Sequence, residues 1–134
     1  MAYKKFVEEN DVDFTKNLVN EKELLQLEKS VGVTFGPQLK EYILTYGYLG
    51  FMAVEFYGVN SKQKEKSDLI TQTLYLHKYF EKTQPYIAFE NVGEGKYILL
   101  DENDTVYSYS SEQDIIQSLG LELNEYILKR FNSK

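Results

Sequence analysis

The side chains able to do chemistry are few, and their spacing selects none of the familiar devices. His77 is the only histidine and there is no cysteine. A zinc site takes three or four protein ligands, so no ordinary one is available, and thiolate chemistry is excluded. Asp101, Glu102 and Asp104 lie close enough to invite a calcium loop. Such a loop needs glycine at its sixth position and glutamate at its twelfth. Counted from Asp101, the sixth residue is Val106, and Glu112 at the twelfth matches alone. Gly93-Glu94-Gly95 lacks the Lys and Ser/Thr that make a glycine loop hold phosphate. Ser110-Ser111 has no partner base in sequence reach. Paired carboxylates of the glycosidase kind are arithmetically available, but no spacing picks out a pair. The chain is therefore expected not to be an enzyme and to need no cofactor.

The charge is more informative. Net charge is −6. Between Thr83 and Tyr126 stand nine acids, Glu90, Glu94, Asp101, Glu102, Asp104, Glu112, Asp114, Glu122 and Glu125, against Lys96 alone. That segment carries −8, which leaves +2 for the rest. A one-sign field speeds association with a partner of opposite charge. It disfavours direct binding of nucleic acid, which needs a basic stripe against the phosphates. Twelve Tyr and eight Phe, with no Trp, are more aromatic surface than a core of this size absorbs, which suits protein contact. Residues 1–7 have lysines but no apolar run behind them, so no signal peptide is expected, and no run of about 18 apolar residues is present to span a membrane. A cytoplasmic location is the expectation.

One domain over residues 1–134 is the default for this length. Its centre is the stretch 46–58, YGYLGFMAVEFYG, in which Gly47, Gly50 and Gly58 punctuate a strand expected at 51–57. Alternation sets Met52, Val54 and Phe56 toward the core, and Phe51, Ala53, Glu55 and Tyr57 on a face open to a partner. Before it, residues 3–9 make a turn or two of helix anchored by Phe6, and 10–15 read as loop. Asn20-x-x-Glu23 is a capping box, Leu24, Leu27 and Val31 follow at helical spacing, and Gly32 is the stop. Pro37 opens another helix with Leu39, Tyr42, Ile43 and Tyr46 on one face.

After a charged loop at 61–66, residues 68–80 read as helix, with Leu69, Thr73, Leu76 and Phe80 aligned. Strands are expected at 86–91, 96–100 and 105–109, joined by Gly93-Glu94-Gly95 and residues 101–104 as an antiparallel meander. Ser110-x-x-Gln113 reads as a second capping box opening a helix to Phe131, broken or kinked at Gly120. Helices followed by late-gathered strands, without βαβ alternation, predict an α+β domain with an antiparallel or mixed sheet packed by helices.

The ordered residues Leu27, Glu28, Gly32 and Val33, then Lys40-Glu41-Tyr42-Ile43-Leu44 and Tyr46-Gly47, then Val54-Glu55-Phe56-Tyr57-Gly58, resemble the SUKH superfamily. So do Ile87-Ala88-Phe89-Glu90-Asn91, the run from Gly93 to Asp101, and Val106-Tyr107-Ser108-Tyr109. Together they span nearly the whole chain in the family's order. Gly36-Pro37 departs from the family's usual Leu-Pro or Phe-Pro, and Tyr48-Leu49 replaces part of a glycine-richer turn. The resemblance implies an α+β domain without shared catalytic residues. It also implies a role as a bacterial immunity protein that neutralises a cognate toxin, often a nuclease, or as a regulatory scaffold like the fungal members. For a basic nuclease toxin, the expected contacts are Glu55, Glu94, Asp101, Glu102 and Asp104 for charge, with Tyr48 and Tyr57 as aromatic anchors.

Overall fold

Local signals set most helices of this computed structural model, which describes residues 1–15, 19–59 and 67–133. Helix α1 (Lys4–Glu9) is followed by strand β1 (Asp13–Phe14) and helix α2 (Glu21–Val31). The α2 capping box is complete: the Asn20 side chain accepts from the Glu23 N–H at 2.8 Å, and Glu23 accepts from the Asn20 N–H at 3.2 Å. Gly32 ends the helix at φ 72°, a left-handed conformation that a side chain would penalise. Helix α3 (Pro37–Thr45) starts on proline and buries Leu39, Tyr42 and Ile43. Helix α4 (Leu69–Tyr79) is capped by Asp68, whose carboxylate accepts from the Thr71 N–H at 2.8 Å. A 3-10 turn at Glu81–Thr83 leads into the sheet. Among the described residues no helix is long and apolar enough to cross a membrane. The charged loop expected at 61–66 lies outside the described residues.

The remaining strands are β2 (Leu49–Phe51), β3 (Val54–Phe56), β4 (Ile87–Gly93), β5 (Lys96–Leu100), β6 (Thr105–Ser110) and β7 (Ile115–Glu122). With β1 they form one seven-stranded sheet in chain order, antiparallel throughout. The architecture is α+β, with helix α5 (Leu123–Asn132) closing the chain.

Three expectations are corrected. Residues 51–57 are not one strand, because the chain reverses at Met52-Ala53 and Phe51 pairs with Val54. Met52 therefore sits at the turn with φ 56°, 77% exposed, and does not join Val54 and Phe56 in the core. Asp13 and Phe14, read as loop, pair with Gly50 and Leu49. Two residues are too short to show alternation, so only the free edge of β2 could recruit them. The third correction is the largest: residues 115–122 form β7 and not helix. Ser110 does accept from the Gln113 N–H, at 3.2 Å, but the bond closes a turn in which Asp114 takes φ 55°. Serine caps helices and turns by the same bond, and pairing with β6 decided between them. Gly120 adopts φ 70° where the β6–β7 register shifts, and α5 starts only at its own box of Glu122 and Glu125.

Register places Tyr97, Leu99, Tyr107 and Tyr109 on one face of the sheet, and Ile98, Leu100 and Val106 on the other. Phe131 of α5 lies 5.3 Å from Phe56 and stacks on Phe6 of α1 at 5.1 Å. Phe56 in turn stacks on Phe89 at 4.9 Å, and Tyr42 meets Phe89 edge-on at 5.1 Å. Buried rings of this size remove about 150–250 Å² each from water, so this column ties three helices to the sheet centre.

Candidate protein-binding surfaces

The β2–β3 hairpin holds the first group of expected residues. Tyr48 donates to Glu55 Oε2 at 2.7 Å, and Ser67 donates to Oε1 at 2.8 Å. A side chain at Gly50 would bring its Cβ to 2.7 Å from the Tyr48 hydroxyl, so the ring can lie there only over glycine. Burial and the neighbouring Glu55 push the Tyr48 phenol well above its ordinary range. Tyr48 is a correction: it is buried with its hydroxyl tied to Glu55 and offers no anchor to a partner, while Glu55 stays exposed with both carboxylate oxygens engaged. Tyr57 is corrected likewise. It is buried, its N–H donates to the Phe89 carbonyl at 2.8 Å, and its own carbonyl accepts from the Tyr42 hydroxyl at 2.8 Å. Tyr57 follows β3 into the core and does not share a partner-facing side with Glu55.

The acids divide between the two ends of the meander. At the β5–β6 turn, Asp101 Oδ1 accepts from the N–H groups of Asn103 at 2.8 Å and Thr105 at 3.0 Å, while Oδ2 accepts from Tyr107 at 2.9 Å. That last bond holds the Tyr107 phenol in its neutral form and pushes its pKa up to about 12. Asp104 is a third correction: it is buried at φ 63°, accepting from the N–H groups of Gln38 at 2.8 Å and Leu39 at 3.0 Å. It is the N-terminal cap of α3, supplied from across the fold because Gly36 has no side chain to offer. Burial raises its carboxyl pKa, and the two N–H groups pull the other way. A Cβ on Gly36 would strike the Asp104 carboxylate, which accounts for glycine before Pro37. Glu102 is exposed at the tip of the turn.

Glu94 sits at the opposite end of β5, at φ 56° in the β4–β5 turn. Five residues of strand separate it from Asp101, roughly 17 Å at the usual rise. Its neighbour is the β6–β7 turn with Glu112, joined through the Ser111 N–H to the Gly95 carbonyl at 2.8 Å. Glu94 and the Asp101–Glu102 pair therefore cannot form a single patch.

Beside Asp101 and Glu102 opens a hollow of about 440 Å³, whose walls include Gly32, Thr34, Pro85, Tyr86 and Tyr107. The Tyr86 and Tyr107 rings meet edge-on at 5.0 Å. His77 supports this wall from behind, its Nε2 2.7 Å from the Tyr86 carbonyl, which can only accept. The hollow thus presents two tyrosines and an acidic lip, a combination suited to an arginine- or lysine-bearing surface.

Two features had no recognisable signal in the chain. A groove of about 660 Å³ runs between α2 and α3, with Leu24, Leu25 and Leu44 as its apolar floor and Glu21, Glu28, Lys40 and Glu41 along it. Leu25 stands one residue off the Leu24–Val31 stripe and is 57% exposed. The second feature is a buried ionic cluster. Glu90, 1% exposed on β4, accepts from Tyr126 at 2.6 Å and from Arg130 Nε at 3.0 Å. Its partners stand 36 and 40 residues away, so no sequence pattern joins them.

A protein-family model, SUKH_5, described as SMI1-KNR4 cell-wall, matches residues 3–132. No curated protein matches the chain.

Proposed function

The chain belongs to the SUKH superfamily, a family that includes toxin-immunity proteins, and from that membership we propose that it binds and neutralises one cognate bacterial toxin domain by direct contact. The observation that carries the reading is the acidic, tyrosine-walled hollow beside the β5–β6 turn. A basic surface such as a nuclease domain presents is its complement. Lysine or arginine would meet Glu102 and Asp101 at the lip, while Tyr86 and Tyr107 supply contact area at low entropic cost. The net charge of −6 would speed encounter and make association salt-sensitive. In this reading inhibition is steric and electrostatic, with no catalytic step and no cofactor, in the cytoplasm where an incoming toxin acts.

The α2–α3 groove favours the alternative, a regulatory scaffold, because an apolar trough between helices suits an amphipathic helix. That reading predicts several modest partners in place of one tight one.

The test is co-expression with the toxin-like product of the adjacent gene, scored by survival and co-purification. Rescue with a stoichiometric complex is the expected result. Glu102→Lys should weaken that complex about tenfold at low salt and less at high salt, whereas Glu94→Lys with Glu112→Lys, at the far end, should not. Rescue without a complex, or equal losses from both variants, would overturn the proposed surface.

A further inference from the structure

The free edge of the sheet is a second place where a protein chain could dock. β7 is the last strand in the order, and among the described residues nothing pairs with its outer edge. Seven of its eight residues, Ile115 to Leu121 (IIQSLGL), contain no charge and no proline. Natural sheets shield long edges with lysines, prolines or bulges, because unpaired N–H and C=O groups recruit other strands. Here only the irregularity around Gly120 interrupts the row. Ile115 and Leu119 stand 46% and 40% exposed along it. The opposite edge, β1, has two residues and offers no comparable template.

Charge decides the occupant. Glu112 and Asp114 precede the strand, and Glu122 and Glu125 close it. Lys82 meets Asp114 at 3.7 Å and Lys96 lines a hollow with Ile115 and Gln117, so the start of the strand is balanced and the surplus acid lies at its end, on Glu122 and Glu125. A second copy pairing antiparallel on the same edge would set Asp114 near Glu122 at both ends, like charge against like. A basic segment would find opposite charge there. We infer that β7 takes up an extended segment of a basic partner protein, alternating basic and apolar residues, as an eighth strand of the sheet. The added strand gains roughly one main-chain hydrogen bond per residue, and its apolar side chains cover Ile115 and Leu119. This rests on the partner being basic, as proposed above, but on a different surface.

The test uses a labelled peptide of sequence KVKVKVK, with EVEVEVE as control, and reads amide exchange residue by residue. Saturating basic peptide should slow exchange at β7 amides at least tenfold, and the acidic peptide should bind at least tenfold more weakly. Ile115→Lys with Leu119→Lys changes two exposed side chains, so the fold should stand, and should weaken basic-peptide binding at least tenfold. Unchanged β7 exchange with bound peptide, or equal binding of both peptides, would overturn the inference. So would a concentration-dependent dimer abolished by the same double variant, which would make a second copy the occupant. No toxin enters this assay, so failed rescue in the co-expression experiment leaves it untouched. Conversely, full rescue alongside an inert β7 sinks the edge and leaves the immunity reading standing.

Discussion

Replacing Asp104 with alanine should unfasten α3 from the meander although the two are 65 and 66 residues apart in sequence at the bonded positions. Two helix N–H groups lose their acceptor. The Leu39 N–H is buried, and leaving it unpaired costs about 1–3 kcal/mol. Loss of a helix cap adds about 1 kcal/mol. The sum, about 3 kcal/mol, corresponds to a fall in Tm of about 10 °C for a domain of this size. Asp104→Gly removes the same bonds but relieves the φ of 63°, so it should be about 1 kcal/mol less damaging than alanine. Asp104→Asn keeps one acceptor and should cost about 1–2 kcal/mol.

The pH dependence has a definite sign. Burial raises the folded pKa of Asp104, so its contribution is fully present below the unfolded value and is lost as pH rises through the folded one. The stability gap between the wild-type protein and Asp104→Asn should therefore be widest below about pH 4 and shrink toward neutrality. Urea unfolding of the three variants at pH 4 and pH 7, with thermal melts by circular dichroism, measures all of this. Alanine within 0.5 kcal/mol of wild type, a threshold about the size of an ordinary surface substitution, or glycine below alanine, would refute the reasoning.

Other consequences follow from the same contacts. Glu90→Ala should cost about 3–5 kcal/mol by denaturant unfolding, because it strands Arg130 and the Tyr126 hydroxyl; Arg130→Met should cost about as much, since the carboxylate left behind is the more deeply buried partner. Tyr3 is fully buried and its hydroxyl has no hydrogen-bond partner among the described residues, so Tyr3→Phe should leave stability unchanged or raise it by about 1 kcal/mol in a thermal melt. Nine of the twelve tyrosines have phenols raised above their usual pKa, by burial in most cases and with Tyr107 and Tyr109 near 12. Raised phenols stabilise the fold below pH 10 and lose that contribution above it, so absorbance titration should show most tyrosines ionising together with alkaline unfolding.

Helix ends and turns were legible because their causes are local. Asn20 with Glu23, Gly32, Pro37 and Asp68 each act within a few residues, and the meander of β4, β5 and β6 shows in two short, turn-rich connections. The sequence alone thus determined the α+β class, four of the helices, the central strands, the acidic balance and the family resemblance. Tertiary structure decided wherever two local answers were available. Ser110 and Gln113 form their bond in a turn as readily as in a helix, and only the open edge of β6 made residues 115–122 a strand. Met52 leaves the core because β2 and β3 pair, and Asp13 and Phe14 become a strand because β2 had a free side. The expected contact residues diverged for the same reason. Asp104 and Tyr57 are consumed by α3 and by the core, and a five-residue strand holds Glu94 apart from Glu102. Composition counts charges and rings. Which of them face outward, and together, depends on hydrogen bonds between residues far apart in the chain, and no local pattern records those.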